Sequence, residues 1–306
     1  MVDVSGILNT AVLKKMLPLL AVVVLVAAVC GVLFLRAPVL FVTDASFYQV
    51  YGTERFNRAI VRNSLSLFRR IIPVPVTENA ASDVIALVAE SAARAPHAVI
   101  FPQRYINAAI IYSGKRPQTP ALVTWGRNPL PQSFLQTTSL VFVRTDSATD
   151  LYRAGAAVAV LSQETNGVLF FTDEGIDTPQ NRQVFGLGLA LEGFTEEPVF
   201  IDAQQQPASY SGIGSIIVAG PASDFLDRAL EIPIILFSWV DPVFTPHTVK
   251  IVFNDSPLAV LTRAIRALSP PQREIFVPSH VHALSHRIEE KKEFRRIRKL
   301  LKSSFP

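Results

Sequence analysis

The 306-residue chain contains a single cysteine and few charged side chains, which make up 18% of it. One cysteine excludes an intramolecular disulfide framework and any zinc or iron–sulfur site that needs several cysteines. Hydrophobic residues make up 49% of the chain, so it has enough apolar surface to fold and is not largely disordered. Its length is comfortable for two lobes.

The chain also lacks the short motifs of common chemistries. No G-x-S-x-G elbow, no G-x-x-x-x-G-K-[ST] phosphate loop and no H-E-x-x-H zinc motif occurs. Gly186 and Gly188 lack the third glycine of a dinucleotide loop and lie in a helical pattern. We therefore expect a protein that is not an enzyme and holds no cofactor or metal. The net charge of +4 is modest and concentrated near the C-terminus, so we expect no nucleic-acid partner.

A long apolar segment lies near the N-terminus. Met16 to Leu35 is a run of 20 residues without a charge, long enough to cross the hydrocarbon core of a bilayer. Lys14 and Lys15 precede it, which predicts a cytoplasmic N-terminus. Three interpretations stay open: an uncleaved anchor, a cleaved signal peptide, and a lipoprotein signal with Cys30 lipidated. All three place the bulk of the chain on the extracytoplasmic, periplasmic side of the cell membrane.

From residue 39 onward, short apolar runs alternate with longer amphipathic stretches. This rhythm is typical of βαβ units, and it predicts an α/β fold with two doubly wound parallel-sheet lobes. The predicted strands are 39–43, 71–76, 98–101, 121–125, 140–143, 168–172, 199–202, 215–219, 232–237 and 249–253. Ligands of open parallel sheets sit beyond the carboxyl ends of the strands, so two such lobes predict a cleft that closes by hinge motion.

These elements give four expected segments. Residues 1–37 form a cytoplasmic stub and the membrane anchor or signal. The first lobe takes 38–143 plus 244–271, and the second takes 144–243 plus 272–285. Residues 286–306 form a basic tail. Within it, residues 287–302 carry eight basic and three acidic side chains, with an apolar stripe at helical spacing, so it is either a solvated helix or a helix lying on anionic lipid.

Three stretches resemble one known family. The segment from Asp44 to Gln49 reads D-A-S-F-Y-Q and is similar to the D-x-S-F-N-Q signature of the basic membrane protein family, the nucleoside-binding lipoproteins of ABC transporters. A second stretch resembles the family's Y-x-A-G … T-x-G … P … F-x-x-G run, and a third its final crossing between lobes. Their residues are 152–155, 165–170, 178–179 and 185–188, then 216–220 and 245–254.

The resemblance covers about residues 39–270 and implies the type I periplasmic binding protein fold. It also implies a nucleoside-like ligand and an ABC transporter permease as partners. The chain departs from the family at Tyr48, which replaces an asparagine, at Ser238, which replaces an acidic residue, and at Asn254, which replaces a lysine. The scaffold is therefore implied more firmly than the ligand.

Candidate ligand contacts follow the predicted strands. A nucleobase needs aromatic faces for stacking and a few fixed hydrogen-bonding groups. Asp44 is also a good helix N-cap, Phe47 a core plug, and Arg104 a partner in a surface ion pair. The expected ligand-binding residues are Asp44, Ser46, Phe47, Tyr48, Gln49, Gln103, Asp173, Gly220, Trp239, Asp241 and Asn254. His280, His282 and His286 have a metal-ligand spacing, but no cysteine or acidic cluster is near them in sequence, so an exposed polar segment is favoured.

Two functions from different classes fit this pattern. The first is a membrane-tethered solute-binding protein that captures a small polar ligand, such as a purine nucleoside, for an ABC transporter. The second is a degenerate binding fold that lacks a small ligand and serves as an envelope interaction or assembly protein. The departures at Tyr48, Ser238 and Asn254, together with the basic tail, motivate the second, which is the alternative to the first.

Overall fold

A computed structural model describes most of the chain. The described residues are 10–127, 130–137, 139–162, 167–172, 177–194, 196–202, 210–219, 231–237, 247–269, 272–288, 290–303 and 305. The predicted helix at 222–230 lies outside these ranges.

The chain begins with helix α1 (Thr10–Leu35) and then builds a first six-stranded sheet. Its order is β2-β1-β3-β4-β5-β11, and every neighbouring pair is parallel. The helices that connect its strands cover both faces. Its elements are β1 (Val39–Thr43), α2 (Ala45–Tyr51), α3 (Thr53–Leu67), β2 (Ile71–Pro75), α4 (Ser82–Ser91), β3 (Ala98–Pro102), a 3-10 turn (Gln103–Tyr105), α5 (Ile106–Lys115), β4 (Ala121–Gly126), α6 (Gln132–Thr137), β5 (Val141–Thr145) and β11 (Glu274–Val277).

The second sheet repeats the same winding. Its order is β7-β6-β8-β9-β10-β12, parallel throughout except for the antiparallel edge strand β12. Its elements are α7 (Ser147–Leu161), β6 (Val168–Thr172), α8 (Pro179–Ala190), β7 (Val199–Asp202), β8 (Ser215–Val218), β9 (Ile234–Phe237), β10 (Val249–Asn254) and β12 (His280–Ala283). Helix α9 (Pro257–Ala267), a 3-10 turn (Ser285–Arg287) and α10 (Lys291–Leu300) complete the described chain.

The predicted fold class is confirmed. Each sheet has the 2-1-3-4-5 order of a doubly wound fold. The central strands read as continuous apolar runs because helices cover both faces. In the first sheet, Val39 and Phe41 face one apolar cluster while Leu40 and Val42 face another, and all four are fully buried.

Two strands belong to a different sheet from the one that the sequence suggested. We expected residues 244–271 in the first lobe, but β10 pairs with β9 of the second sheet. We expected 272–285 in the second lobe, but β11 pairs with β5 of the first. Helix α9 does pack on the first sheet, with Leu258 and Leu261 in its core. The chain thus crosses between sheets at 145–147, at 254–257 and at 277–280.

The apolar face of the basic tail is packed inside the protein. On α10, Ile297 is fully buried, and Phe294 and Leu301 join the core of the second lobe. Arg153 of α7 donates to the Ser303 carbonyl oxygen at 2.7 Å. The apolar side of the tail therefore covers α7 and is not free to lie on lipid, while most of its charged side chains are exposed.

Helices α7 and α8 cross with their backbones in contact. A Cβ on Gly155 would stand 2.3 Å from the Phe185 carbonyl oxygen, and one on Gly188 would stand 2.2 Å from that of Tyr152. Neither backbone can hold a side chain at that crossing. Two of the family-like segments, 152–155 and 185–188, thus meet as a helix contact rather than at a ligand.

We expect Gly188→Ala to destabilise the protein by about 2–3 kcal/mol, because its methyl group would overlap the backbone of α7. Gly186→Ala is the matched control. No atom lies within 4 Å of its Cβ position, and alanine favours the helix by up to about 1 kcal/mol. Urea unfolding of both variants tests the contact, and equal stability of the two would contradict it.

Candidate functional site

Asp44 follows β1 at the carboxyl edge of the first sheet, where its carboxylate is fully buried. It caps α2 by accepting from the Ser46 amide at 2.9 Å and from the Ser46 hydroxyl at 2.7 Å. The Tyr105 hydroxyl donates to its second oxygen. Asp44 is thus an N-cap whose hydrogen bonds are met within the protein.

Arg104 covers this carboxylate from the solvent side. It forms an ion pair with Asp44 and donates to the Ser46 hydroxyl at 2.7 Å. Its guanidinium lies over the rings of Phe47 and Tyr105, 5.5 and 5.1 Å from their centroids. A second nitrogen lies 3.6 Å from Glu78. Arg104 is therefore part of an ion-pair cluster, as the surface alternative for this residue predicted.

This cluster holds Asp44 ionised. Burial alone would raise the pKa of Asp44, but the hydrogen bonds from Tyr105 and Ser46 and the charge of Arg104 outweigh burial, so the pKa lies below its ordinary value. Burial and the hydrogen bond to Asp44 raise the pKa of the Tyr105 hydroxyl. Tyr105 therefore stays a donor at neutral pH.

The aromatic residues of the D-A-S-F-Y-Q segment face inward. Phe47 is 4% exposed and meets Phe41 edge to face at 5.4 Å. Tyr48 is half-buried and packs against Phe56 at 4.7 Å. The ligand-stacking role expected of Phe47 is thus at odds with its place in the core. Gln49 is exposed on α2.

The other described candidates also lie at strand ends. Gln103 is half-buried in the 3-10 turn after β3, on the same sheet edge as Asp44. Asn254 ends β10 and accepts from the Ser256 amide at 2.9 Å, so its side chain caps the chain entering α9. Asp173, Gly220, Trp239 and Asp241 lie outside the described residues, as do Ser238 and the side chain of Cys30.

A second polar cluster joins the two lobes at the chain crossings. Asp150 of α7 is fully buried and accepts from the Ser279 amide at 3.0 Å and the Ser279 hydroxyl at 2.5 Å. Arg127, just after β4, lies 3.7 Å from Asp150 and 3.2 Å from Asp255, and it donates to the Ser279 hydroxyl at 3.1 Å. We call Arg127, Asp150, Asp255 and Ser279 the crossing cluster.

The crossing cluster brings the carboxyl ends of strands from both sheets together. Thr145, the last residue of β5, donates to Asp255, which follows β10, at 3.0 Å. The Arg127 guanidinium lies 5.1 Å from the ring centroid of Phe237, the last residue of β9. No sequence pattern predicts this cluster, since its members lie far apart in sequence. The only signal was that Arg127 and Asp255 each follow an apolar run.

Asp150 has an unusual acidity. Burial raises its pKa to about 6, although Arg127 and the two bonds from Ser279 act against this. The carboxylate of Asp255 adds to the rise. Near neutral pH, Asp150 is therefore a buried carboxylate at a pH close to its pKa.

His280 and His282 form a pair on β12, with ring centroids 4.4 Å apart. Burial, His282, Arg263 and Arg62 lower the pKa of His280 to about 4, and burial and Arg62 lower that of His282. Both rings are neutral at pH 7. In the described part of the chain, no group of three or more His, Cys, Asp or Glu could hold a metal ion.

The fold has counterparts among solved structures. It is similar to a transcriptional activator of the comK gene from Bacillus halodurans, with 11% identity, a TM-score of 0.53 and coverage of 89% of this chain and 100% of that one. A periplasmic ABC transporter solute-binding protein from Actinobacillus succinogenes with bound D-allose has 12% identity, a TM-score of 0.48 and coverage of 82% and 99%. A LacI transcriptional regulator from a Rhodococcus species has 14% identity, a TM-score of 0.43 and coverage of 81% and 97%.

At 11% identity, the likeness to the comK activator shows a shared fold and nothing about ligands. No family model and no curated protein matches the chain.

The raised pKa of Asp150 predicts an inverted pH dependence. Because the folded carboxyl binds its proton more tightly than the unfolded one, its contribution to stability is greatest below about pH 4 and falls as the pH rises to about 6. We expect the wild type to lose about 3 kcal/mol over that window relative to Asp150→Asn, which does not titrate. Unfolding at pH 4, 5, 6 and 7 measures the difference, and a constant gap between the two proteins would contradict it.

Proposed function

We propose that the chain is a membrane-tethered, extracytoplasmic solute-binding protein whose two lobes hold a small polar ligand between the carboxyl ends of their strands. The observation that carries this is the meeting of β4 and β5 of the first sheet with β9 and β10 of the second at the crossing cluster. In doubly wound sheets that edge is where ligands bind. Three short crossings are compatible with hinge motion.

The charges at the first lobe's edge favour an uncharged ligand. Arg104 already faces the carboxylates of Asp44 and Glu78, so a second anion would gain little from it. Gln49 and Gln103 supply amide donors and acceptors suited to the hydroxyls and base edges of a nucleoside. Nucleosides are also what the resemblance to the basic membrane protein family implies, and we propose membership of that family. A stacking ring would have to come from elsewhere, for which Trp239 is the candidate.

The tether is the other half of the proposal. Leu17–Leu35 is a 19-residue apolar part of α1 in which no described side chain is buried in the protein. Inserted in a bilayer, it would hold the lobes at the extracytoplasmic surface, within reach of an ABC transporter permease. An uncleaved anchor fits this best, because the apolar run of 19 residues is longer than the roughly 7–15 residues of a signal-peptide core.

One observation favours a second function, a binding fold that serves as an envelope interaction protein without a small ligand. Two central residues of the family-like signature make their contacts with the protein's own side chains and not with a ligand. Asp44 bonds to Tyr105 and Arg104, and Phe47 lies in the core. A protein that had lost its ligand would be free to fill its site in this way.

A thermal-shift screen of the full chain in detergent decides between the two. A ligand at 100 times its Kd stabilises the folded state by about 2.7 kcal/mol, which raises Tm by several degrees in a protein of this size. We expect such a rise with at least one of adenosine, guanosine, inosine and uridine. No shift with any of them would favour the interaction protein.

Gln49→Ala tests where the ligand sits. We expect it to weaken binding roughly threefold to tenfold, the value of one lost hydrogen bond. Gln118→Ala is the matched control, because Gln118 is also exposed but precedes β4 at the opposite edge of the same sheet. Equal affinities of the two variants would move the site away from α2.

A further inference from the structure

Helix α3 carries an apolar stripe on its outer face. Val61 and Leu65 lie one turn apart on α3, and Phe68 caps the C-terminus of the helix in the left-handed conformation, with φ 50°. The three side chains are 57%, 46% and 50% exposed. Apolar side chains scattered singly on a surface are ordinary, but two on one helix face followed by an aromatic ring at the C-cap form a larger exposed apolar group. We call these three residues the α3 stripe.

The direction of this stripe is fixed by the opposite face of the helix. Phe56 and Ile60 lie in the core of the first lobe. The Asn63 amide donates to the Leu258 carbonyl oxygen at 3.0 Å and accepts from the Thr262 hydroxyl at 2.8 Å. Helix α3 therefore cannot turn about its axis to bury the stripe against α9.

The stripe ends where α1 enters the lobe. Arg70, two residues beyond Phe68, lies over the ring of Phe34 in the last turn of α1, 4.8 Å from its centroid. Arg69 donates to the Ala37 carbonyl oxygen at 3.0 Å. A bilayer crossed by Leu17–Leu35 would have its surface beside these contacts, and thus beside the C-terminal end of the stripe.

Arginines flank the stripe. Residues 53–70 contain five arginines and one acidic residue, Glu54. At about 100° per residue, Arg58 and Arg62 fall beside Leu65 on the helix surface, and both are exposed. Arg58 forms an exposed ion pair with Glu54, which a lipid phosphate would have to replace. An apolar strip edged by basic side chains is the pattern of helices that lie at the boundary between lipid headgroups and acyl chains.

We propose that the α3 stripe rests on the outer surface of the bilayer that holds α1, with its arginines on lipid phosphates. This rests on the proposed insertion of α1. Helix α3 returns the chain from the carboxyl end of β1 to the amino end of the parallel strand β2, so it runs alongside these strands. A stripe that rests on the bilayer therefore places the strands of the first lobe along the membrane surface.

Spin labels on the full chain in vesicles of phosphatidylcholine and phosphatidylglycerol test this proposal. Single cysteines are introduced by Val24→Cys, Leu65→Cys and Leu87→Cys in a Cys30→Ser background. Leu87 is the matched control, an exposed leucine of α4, which packs on the other face of the same sheet. Collisions of each label with oxygen, which concentrates in lipid, are compared with collisions with a water-soluble nickel complex.

We expect the labels at 24 and 65 to collide more with oxygen and the label at 87 more with nickel. A lipid-exposed label at 24 with a water-exposed label at 65 would overturn the stripe proposal while leaving the anchor intact. A water-exposed label at 24 would instead overturn the anchor, and the stripe proposal with it. A label at 65 shielded from both reagents would mean that a protein covers the stripe, which also contradicts the proposal.

The arginine flank has its own test. With Arg58→Gln and Arg62→Gln together, we expect the label at 65 to become more accessible to nickel in vesicles that contain phosphatidylglycerol. In vesicles of phosphatidylcholine alone, wild type and variant are expected to match. If wild type and variant were equally accessible to nickel in both kinds of vesicle, the arginines would not contact lipid phosphates.

Discussion

The structure depends on one buried carboxylate at the place where the chain passes between its two sheets. Asp150 lies in the first helix of the second lobe, Ser279 lies in the last crossing, and Arg127 directly follows a strand of the first sheet. Two hydrogen bonds and an ion pair offset part of the cost of burying this charge, and its pKa of about 6 records the part that is not offset. These groups satisfy one another at the point where the carboxyl edges of the two sheets meet.

Local sequence pattern predicted the positions of the central strands correctly. It did not predict which sheet each strand joins, because that depends on pairing between residues far apart in sequence. All ten predicted strands occur, because buried parallel strands are apolar runs that a reader can recognise. Strands β11 and β12 were missed, since EIFV and HVHA are only four residues long and HVHA alternates with polar side chains. The sheet that each of β10 and β11 joins depends on partners more than 15 residues away, Ile235 and Val143, which no local pattern encodes.

For the candidate site, too, the sequence predicted the positions of residues but not their contacts. The sequence placed Asp44 and Gln103 directly after strands, and they lie there, while Gln49 lies on α2. It could not tell a ligand-facing carboxylate from an N-cap, because Asp44 suits both and only the positions of Tyr105 and Arg104 decide. The segments 152–155 and 185–188 were matched as family signatures, and their glycines are explained by two helix backbones in contact. A motif can thus mark a fold without marking a site.

The central claim is that the lobes hold a small uncharged molecule between their strand ends. Its most direct test is a crystal structure of the full chain purified from its own membrane without added ligand. The account predicts density for one small molecule within hydrogen-bond distance of Gln49 or Gln103, on the edge that the crossing cluster brings together. Side chains of the protein itself filling that space, with no room for a ligand, would contradict it.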